Sequence, residues 1–295
     1  MRNRCEHQQE VKTFLSERFS TRSWEITIPH GWGNENYYAH GNDRVYFVKL
    51  NTSVANYQAM ASIGLTPPVL ATGVLEDGTS LLVQPYVTGR TPTRHDFRND
   101  LDHFARMVAR MHHSPEVSCV LPPAPSNQYR MLARQALMHL RLRWEQYKGL
   151  VPSMAALVDE SLAFLEGRID QLDGAGVVAS HNDICNANWI ITPDGQIYLV
   201  DLDAMSMDDP ACDLGALLWW YYPPELRPRF LDIAGYPGGE QFKQRMQVRM
   251  AIHCLSITIP RENSFDQFNP ATYGESLTDF LAAVAGEENP QGYNN

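Results

Sequence analysis

Three side chains whose oxygen atoms could do chemistry lie near one another in the middle of the sequence: Asp183, Asn188 and Asp201. Asp183 precedes Asn188 by five residues, and Asp201 follows a segment with the composition of a β-hairpin. Carboxylate and amide oxygens are the ligands that hard cations such as Mg²⁺ prefer. Their convergence on one spot would create a cation site with an additional acid beside it.

The segment that contains these residues also predicts the strands that position them. Three short apolar runs between Val177 and Val200 have the composition of strands. Asp194-Gly195, between the last two runs, is typical of a two-residue hairpin loop. Counting outward from that loop places Asn188 opposite Asp201, and opposed residues have Cβ atoms roughly 4.5–5.5 Å apart. The pattern therefore predicts that the amide and the carboxylate share one cation.

The spacing of these residues also resembles a motif of known enzymes. His181-x-Asp183-x-x-x-x-Asn188, followed by a hairpin and Asp201, resembles the catalytic core of protein-kinase-like phosphotransferases. A polar turn in some other α/β domain is the alternative, because short motifs also occur by chance.

Two departures from protein kinases narrow the resemblance. Asn182 occupies the position of an arginine, and Leu202-Asp203 occupies the position of Phe-Gly. The phrases HND, VDLD and DPACDL are instead similar to those of the aminoglycoside phosphotransferase and choline kinase superfamily. These enzymes phosphorylate small molecules.

The resemblance implies an α+β class and a bilobal protein-kinase-like fold, with a small antiparallel-sheet lobe and a larger, mostly helical lobe. A small nucleotide-binding lobe with the hinge is expected over residues 1–87. A large catalytic and substrate-binding lobe is expected over residues 88–295. The implied cofactors are ATP, bound between the lobes, and Mg²⁺.

The resemblance also assigns roles to individual residues. Asp183 would orient and deprotonate the acceptor hydroxyl, while Asn188 and Asp201 would hold Mg²⁺. His181 would orient the catalytic loop, and Asp213 would brace that loop through its backbone. From the local sequence alone, Asp213 is equally well explained as a surface acid near a helix N-terminus.

The small lobe is predicted to carry nucleotide-binding loops. Gly31, Gly33 and Asn34 belong to a loop before a strand, and that loop resembles the glycine-bearing phosphate cover of kinases, although a plain hairpin loop looks similar. It is not a dinucleotide fingerprint, because a strand follows it and not a helix. Gln84 and Tyr86 fall in the expected hinge, whose backbone binds adenine in kinases. The predicted elements are a polar helix over 1–20, strands at 24–28, 36–40, 44–50, 69–75 and 80–83, and a helix over 53–63.

Lys49 is the candidate for binding nucleotide phosphates. The period of two in a strand places it on one face with Val45 and Phe47. Such a lysine either extends to solvent at a sheet edge or points at an anion, and the resemblance favours the phosphates. Kinase-like folds carry a glutamate on the next helix to hold this lysine, yet no acid occurs between Asp43 and Glu76. Lys49 is therefore expected to find another anchor or to be positioned by nucleotide alone.

The second lobe is predicted to be helical. Apolar residues at helical spacing predict helices over 97–111, 128–147 and 154–169. His112 and His113 end the first of these helices and are interpreted as surface residues at a helix end, in preference to metal ligands. Asp209-Pro210 starts a later helix.

An aromatic run, Trp219–Tyr222, lies on that later helix. Four consecutive aromatic residues cannot all face one core. Trp219 and Trp220, with Asp203, are therefore candidates for acceptor binding, since aromatic faces attract amines through cation–π contact. Packing in the large lobe is the alternative.

Composition restricts the partners. A net charge of −10 argues against nucleic acid and is compatible with cationic small molecules, or simply with solubility. No apolar run is long enough to cross a membrane, and the N-terminal segment lacks the pattern of a signal peptide. Five scattered cysteines without a C-x-x-C pair predict neither zinc nor disulfides, so a cytoplasmic location is expected. Oligomeric state stays open.

The predicted function is ATP-dependent transfer of the γ-phosphoryl group to a hydroxyl of a small, cationic molecule, choline-like or aminoglycoside-like. One alternative is a non-catalytic pseudokinase that only binds nucleotide, which the missing helix glutamate suggests. A second is a kinase of a neutral molecule such as a sugar, or of homoserine. A metal-dependent hydrolase built on His181 and Asp183 lacks the further histidine ligands that such sites need.

Overall fold

The structure is a computed structural model that describes residues 4–20, 23–29, 36–41, 44–150, 152–174, 176–236, 238–259 and 270–293. The chain divides into two compact units, and neither is continuous in sequence. The first comprises residues 1–91, 115–120 and 187–205, and the second comprises residues 92–114, 121–186 and 206–295. The boundary predicted at residue 87, and the nucleotide and substrate roles of the two sides, stay predictions.

Strands and helices alternate early in the chain, and helices dominate later. The strands are β1 Glu25–Thr27, β2 Asn36–Gly41, β3 Arg44–Leu50, β4 Ala71–Val74, β5 Ser80–Pro85, β6 Val178–Ser180, β7 Trp189–Ile191, β8 Ile197–Leu199 and β9 Ser206–Asp208. The helices are α1 Arg4–Arg18, α2 Val54–Ser62, α3 Arg94–Asn99, α4 Leu101–His112, α5 Pro115–Ser118, α6 Tyr129–Tyr147, α7 Pro152–Ile169, α8 Ala211–Tyr221, α9 Arg227–Ala234, α10 Glu240–Thr258 and α11 Pro270–Ala285. The predicted α+β class is confirmed.

The first unit contains a five-stranded antiparallel sheet in the order β1-β2-β3-β5-β4. Its strands match the predicted ones, and α1 and α2 match the predicted helices. Alternate residues of β3 face opposite sides. Tyr46, Val48 and Leu50 pack into a buried apolar cluster with side chains of α1, while Phe47 and Lys49 line a cavity. Because β3 is a central strand, Lys49 is not at a sheet edge.

The hairpin formed by β7 and β8 also belongs to the first unit, and its register corrects the predicted one. Ile191 pairs with Ile197, and the Thr192 N–H donates to the Gln196 carbonyl at 2.9 Å. The loop therefore has three residues, with Gly195 last, at a φ of +84°. A left-handed glycine in this position closes a three-residue hairpin loop, so the prediction of a two-residue loop is wrong.

The shift of one residue carries through to the open end of the hairpin. The Val200 N–H donates to the Asn188 carbonyl at 2.8 Å, so Asn188 lies opposite Val200. Asp201 is one residue further along, with a left-handed backbone at a φ of +60°. The cross-strand pairing of Asn188 with Asp201 is thus wrong, since a slip of one residue changes every partner. That their side chains share a cation stays a prediction.

The second unit is mostly helical and also holds the two-stranded sheet of β6 and β9. The helix predicted over 97–111 is two helices, because α3 ends at Asn99 and Asp100 separates it from α4. A capping box at Thr93 and Asp96 starts α3 by satisfying exposed N–H groups. Among the described residues, no helix is long and apolar enough to cross a membrane.

Candidate active site

Lys49 lies in a cavity of the first unit and has three close polar partners. Its side chain is buried, and its Nζ lies 2.7 Å from Asp201 Oδ1 and 2.7 Å from Asp203 Oδ2. The same ammonium donates a 2.8 Å hydrogen bond to the Tyr57 hydroxyl. Of the two expectations for Lys49, the one of another anchor is confirmed, and the one of positioning by nucleotide alone is wrong. The carboxylates that hold Lys49 follow β8. They do not belong to α2, the helix that comes next after Lys49 in the chain.

The ion pairs keep Lys49 charged. Burial alone lowers the pKa of Lys49, but the interactions with Tyr57, Asp201 and Asp203 outweigh burial and raise it. Burial raises the pKa of Tyr57, although Lys49 opposes this effect. At neutral pH the group is therefore an ammonium with two carboxylates and a neutral hydroxyl as partners.

Asp201 ends the hairpin in a conformation that the surrounding groups stabilise. Its left-handed backbone is costly for a residue with a Cβ atom. The next peptide group is held on both sides, because the Leu202 N–H donates to the Tyr57 hydroxyl at 3.2 Å and Asn56 Nδ2 donates to the Leu202 carbonyl at 3.1 Å. The Asp201 side chain remains 51% exposed, so one carboxylate binds Lys49 and still has accessible surface.

A cavity of about 340 Å³ in the first unit has Lys49 and Asp201 in its lining. Most of the remaining wall is aromatic or apolar, and the rings of Tyr38 and Tyr86 meet edge to face at 5.1 Å. An apolar slot with a few polar groups is typical of ligand sites. The other lining residues are Asn36, Phe47, Tyr57, Pro67, Gln84, Pro85, Val87, Ile190 and Val200.

Two of the predicted nucleotide-binding residues line this cavity, and three cannot be placed. Tyr86 is half exposed, and Gln84 is buried, with its Nε2 donating to the Pro67 carbonyl at 2.6 Å. Gly31, Gly33 and Asn34 lie outside the described residues. Nucleotide contacts by these residues therefore stay predictions.

Few side chains of the first unit are candidates for binding a metal cation, and the predicted ones are Asn188 and Asp201. Asn188 is buried at the end of a 3₁₀ turn that precedes β7. Within the described part of the chain, no group of three or more His, Cys, Asp or Glu residues could hold a metal ion. One accessible carboxylate and one amide suit Mg²⁺, which keeps several waters and uses one or two carboxylates. They suit zinc poorly, because zinc prefers nitrogen and sulfur ligands.

The second unit contains the predicted catalytic loop, and Asp213 contacts its backbone. The carboxylate of Asp213 accepts hydrogen bonds from the N–H groups of His181 and Asn182, both at 2.8 Å. Burial alone raises the pKa of Asp213, but these contacts and His112 outweigh burial and lower it. The fully buried carboxylate is therefore an anion that braces the loop.

His112 completes this buried network. Its Nε2 lies 2.9 Å from Asp213 Oδ2, and its Nδ1 lies 2.7 Å from the Tyr236 hydroxyl. The interpretation of His112 as a surface residue is wrong. Its helix ends inside the unit, and the ring replaces water around the carboxylate. His113 is exposed, as predicted, and its ring stacks on that of Tyr236.

The conformation of the loop explains why asparagine suits position 182. Asn182 has a φ of +63°, and asparagine is among the residues that tolerate the left-handed region. The Ser180 hydroxyl donates to Asn182 Oδ1 at 3.0 Å, and Asn182 Nδ2 donates to the Ser206 hydroxyl at 2.8 Å. This turn leaves the Asp183 side chain partly exposed. A carboxylate held on a rigid, partly open loop is suited to accept a proton from a hydroxyl.

The aromatic run of α8 is used largely for packing. Trp219 is buried and donates from its indole N–H to the Glu287 carbonyl at 2.9 Å. Tyr222 is fully buried, and the Tyr221 hydroxyl accepts from the Asn186 N–H at 2.7 Å. Trp220 is the partly exposed member. Its ring meets that of Trp219 edge to face at 5.0 Å.

Asp203 contacts neighbouring side chains, and its predicted contact with the acceptor stays a prediction. Its two oxygens bind Lys49 and the Thr52 hydroxyl within the first unit, which makes it an ion-pair partner of the lysine. Sequence reasoning also missed Asn56, Tyr57 and Tyr221. Asn56 could have been noticed as a polar residue among the mostly apolar residues of a predicted helix. Nothing in the sequence near Tyr57 indicated its contacts.

Comparisons with known proteins identify the family and the fold of this chain. Residues 25–244 match the phosphotransferase enzyme family. The choline kinase LicA from Streptococcus pneumoniae is 18% identical, with a TM-score of 0.62 over 95% of this chain and 99% of that one. A spectinomycin phosphotransferase in complex with ADP and spectinomycin is 13% identical, with a TM-score of 0.64 over 94% and 96%. An aminoglycoside 2′-phosphotransferase in complex with GDP is 14% identical, with a TM-score of 0.65 over 97% and 99%.

These identities are too low to carry a substrate from one protein to another, but the likeness establishes the protein-kinase-like fold. The family match covers most of the chain and includes Lys49, Asp183, Asn188, Asp201 and Asp213. The chain therefore belongs to the phosphotransferase enzyme family and is a small-molecule phosphotransferase.

Proposed function

We propose that this phosphotransferase uses ATP and Mg²⁺ to phosphorylate a hydroxyl group of a small cationic molecule. The observation that carries the proposal is the pairing of Lys49 with Asp201 beside an aromatic-walled cavity. The cavity offers apolar surface for the adenine ring of the nucleotide, and Lys49 offers positive charge for its phosphates. Asp201 keeps accessible carboxylate surface for a cation.

Each residue then has a defined task. Asn188 and Asp201 would hold Mg²⁺, which supplies positive charge against the phosphates when it is bound. Lys49 contributes a second, permanent positive charge. Asp183 accepts the proton of the acceptor hydroxyl. At the same time the hydroxyl oxygen bonds to the γ-phosphorus, and the bond from that phosphorus to the leaving ADP oxygen breaks. Asp213 and His112 keep the loop that bears Asp183 rigid.

A cationic acceptor is supported by two observations. The net charge of −10 favours a positively charged substrate over an anionic one. The similar structures include a choline kinase and two aminoglycoside-type phosphotransferases, and choline carries a permanent positive charge. A neutral acceptor is the second candidate, because Trp219 is committed to packing with Glu287 and so leaves fewer exposed rings for a cation.

A non-catalytic role is disfavoured by the loop itself. A pure nucleotide binder has no use for a braced, partly exposed Asp183 in addition to Lys49 and Asp201. The similar structures hold ADP in one case and GDP in another, so both ATP and GTP belong in the assay.

The deciding experiment measures nucleoside diphosphate release with MgATP or MgGTP against a panel of acceptors. The panel pairs cationic alcohols (choline, ethanolamine and aminoglycosides) with uncharged ones (sugars) and with homoserine. Asp183→Asn serves as the matched control, since it removes the proposed base without changing side-chain size. Release that depends on a cationic acceptor and on Asp183 supports the proposal. Equal use of neutral acceptors contradicts the cationic part, and release unaffected by Asp183→Asn contradicts the mechanism.

A further inference from the structure

Helix α2 has no acidic residue, and it presents two buried, uncharged polar side chains to the segment after the β7–β8 hairpin. Asn56 and Tyr57 are both buried, with exposed fractions of 4% and 2%. Buried polar groups need hydrogen-bond partners, and both of these are directed at the segment that follows the hairpin. Helix α2 therefore contacts Lys49 and the residue that follows Asp201.

The Tyr57 hydroxyl accepts two hydrogen bonds. One comes from Lys49 Nζ at 2.8 Å and the other from the Leu202 N–H at 3.2 Å. A single oxygen atom thus links the central strand of the sheet to the residue after Asp201. Asn56 adds a second point of attachment, since its amide donates to the carbonyl of the same Leu202 residue.

We infer that Asn56 and Tyr57 are positioning residues of the nucleotide site, which together hold Lys49 and Asp201 in register in place of a helix carboxylate. This inference rests on the proposed function, because it assigns the two residues to the site proposed for MgATP. Neither residue is proposed to take part in the chemical step. Both would act by fixing the backbone and the ammonium that the nucleotide meets.

Charge balance explains why the helix contributes neutral groups. Lys49 already has two carboxylate partners, Asp201 and Asp203, within 2.7 Å of its ammonium. A glutamate on α2 would bring a third carboxylate to one lysine, and like charges in a buried site repel each other. A phenol and an amide supply the same directional contacts without that repulsion.

The contacts of Asn56 and Tyr57 with Leu202 also explain how Asp201 maintains its left-handed backbone conformation. A left-handed non-glycine residue persists only where the surroundings determine its conformation. Both polar groups of the adjacent Leu202 are used by α2, so the chain after Asp201 cannot rotate without breaking two hydrogen bonds. If a cation draws Asp201 away from Lys49, the ammonium retains Asp203 and Tyr57 as partners.

The test removes the contacts of α2 one at a time. Tyr57→Phe keeps the buried ring and deletes only the hydroxyl, and Asn56→Ala deletes the donor to the Leu202 carbonyl. Tyr46→Phe is the matched control, because Tyr46 is a buried tyrosine of β3 in the same unit and packs in the apolar cluster. Two quantities are measured: hydrogen exchange of the Leu202 amide in the nucleotide-free protein, and the Kd for MgADP.

We expect Tyr57→Phe to speed exchange of the Leu202 amide by about tenfold or more and to raise the Kd for MgADP by about three- to tenfold, as the loss of one hydrogen bond implies. Asn56→Ala should act in the same direction, and the double variant should be less than additive because both act on one residue. Tyr46→Phe should change neither quantity.

Wild-type exchange and wild-type MgADP affinity in both single variants would overturn the inference. A general loss of stability without a local change at Leu202 would also overturn it, since that result is expected of residues that only pack. The exchange measurement needs no nucleotide and no acceptor. If the wild-type protein transfers no phosphoryl group, the proposed function fails, while the positioning role of α2 is still decided by exchange at Leu202.

Discussion

The ammonium of Lys49 and the carboxylate of Asp201 lie 2.7 Å apart, although 152 residues separate them in the chain. This contact joins the central strand of the sheet to the end of the β7–β8 hairpin. The group proposed to meet the phosphates and the group proposed to hold the cation therefore form one charge-paired element. A change in either residue is therefore expected to alter the other.

Removing the positive charge should destabilise the first unit and weaken nucleotide binding. In Lys49→Met, Asp201 and Asp203 lose the cation that they share, and we expect the free energy of unfolding to fall by about 1–3 kcal/mol. Lys148→Met removes an exposed ion pair with Glu145 and should leave the free energy of unfolding nearly unchanged. The measurement is denaturant unfolding.

The double variant Lys49→Met/Asp203→Asn refines this prediction. It removes the charge of one of the two carboxylates that lose the lysine, so it should be less destabilised than the sum of the single changes. Strict additivity would show that Lys49 and Asp203 do not interact in solution.

Loss of the Asp201 carboxylate should abolish the dependence of nucleotide binding on Mg²⁺. Asp201→Ala removes the anionic ligand from a cation that keeps few protein ligands. Calorimetric titration of ADP with and without MgCl₂ checks this prediction. Asp194→Ala changes an exposed acid in the loop of the same hairpin and should retain the Mg²⁺ effect. An unchanged Mg²⁺ effect in Asp201→Ala would place the cation elsewhere.

Asp183→Asn should separate chemistry from binding. We expect kcat to fall by about two to four orders of magnitude, the range for loss of a general base, while the Kd for MgADP stays at the wild-type value. Single-turnover kinetics and calorimetry give the two quantities. A variant with near-normal kcat would remove Asp183 from the mechanism.

The network around Asp213 predicts a dependence of stability on pH. Because the pKa of Asp213 is lowered in the folded protein, its contribution is present above the unfolded pKa, about 4. It is lost as pH falls through the folded pKa. Asp213→Asn should therefore be less stable than the wild type by about 2–4 kcal/mol at neutral pH.

That stability difference should shrink as the pH falls below about 4. Unfolding is measured across this range. The comparison is Asp170→Asn, which loses an exposed ion pair with Arg134 and should change stability by less than about 1 kcal/mol. A difference for Asp213→Asn that is constant with pH would contradict the assignment of an ionised carboxylate.

The aromatic residues of α8 offer a test of the acceptor class. A cation over an indole face gains about 0.5–2 kcal/mol, so Trp220→Leu should lower the ratio of kcat/KM for a cationic alcohol over its uncharged analogue by several-fold. Trp219→Leu should mainly reduce stability, because Trp219 is buried against the Glu287 carbonyl. If Trp220→Leu leaves the ratio unchanged, Trp220 does not recognise the cation.

Local sequence patterns determined most of the secondary structure. The period of two in β3 placed Phe47 and Lys49 on one face, and helical spacing located α6 and α7 to within a few residues. The motif of Asp183, Asn188 and Asp201 likewise indicated the family, since its spacing is local to one loop and one hairpin. These features depend on near neighbours in the chain, so the sequence alone contains the information for them.

Tertiary structure decided the rest. The partners of Lys49 come from a segment 152 residues away, and those of His112 from 101 and 124 residues away, so neither set follows from local spacing. Asp-Gly fits a two-residue or a three-residue hairpin loop. The register was decided at Asp194, which a two-residue type I′ loop would require at a positive φ and which is not among the positive-φ residues of the described chain. Long-range pairing of buried charges and the choice between two loop conformations depend on the packed chain, and for that reason only the fold resolves them.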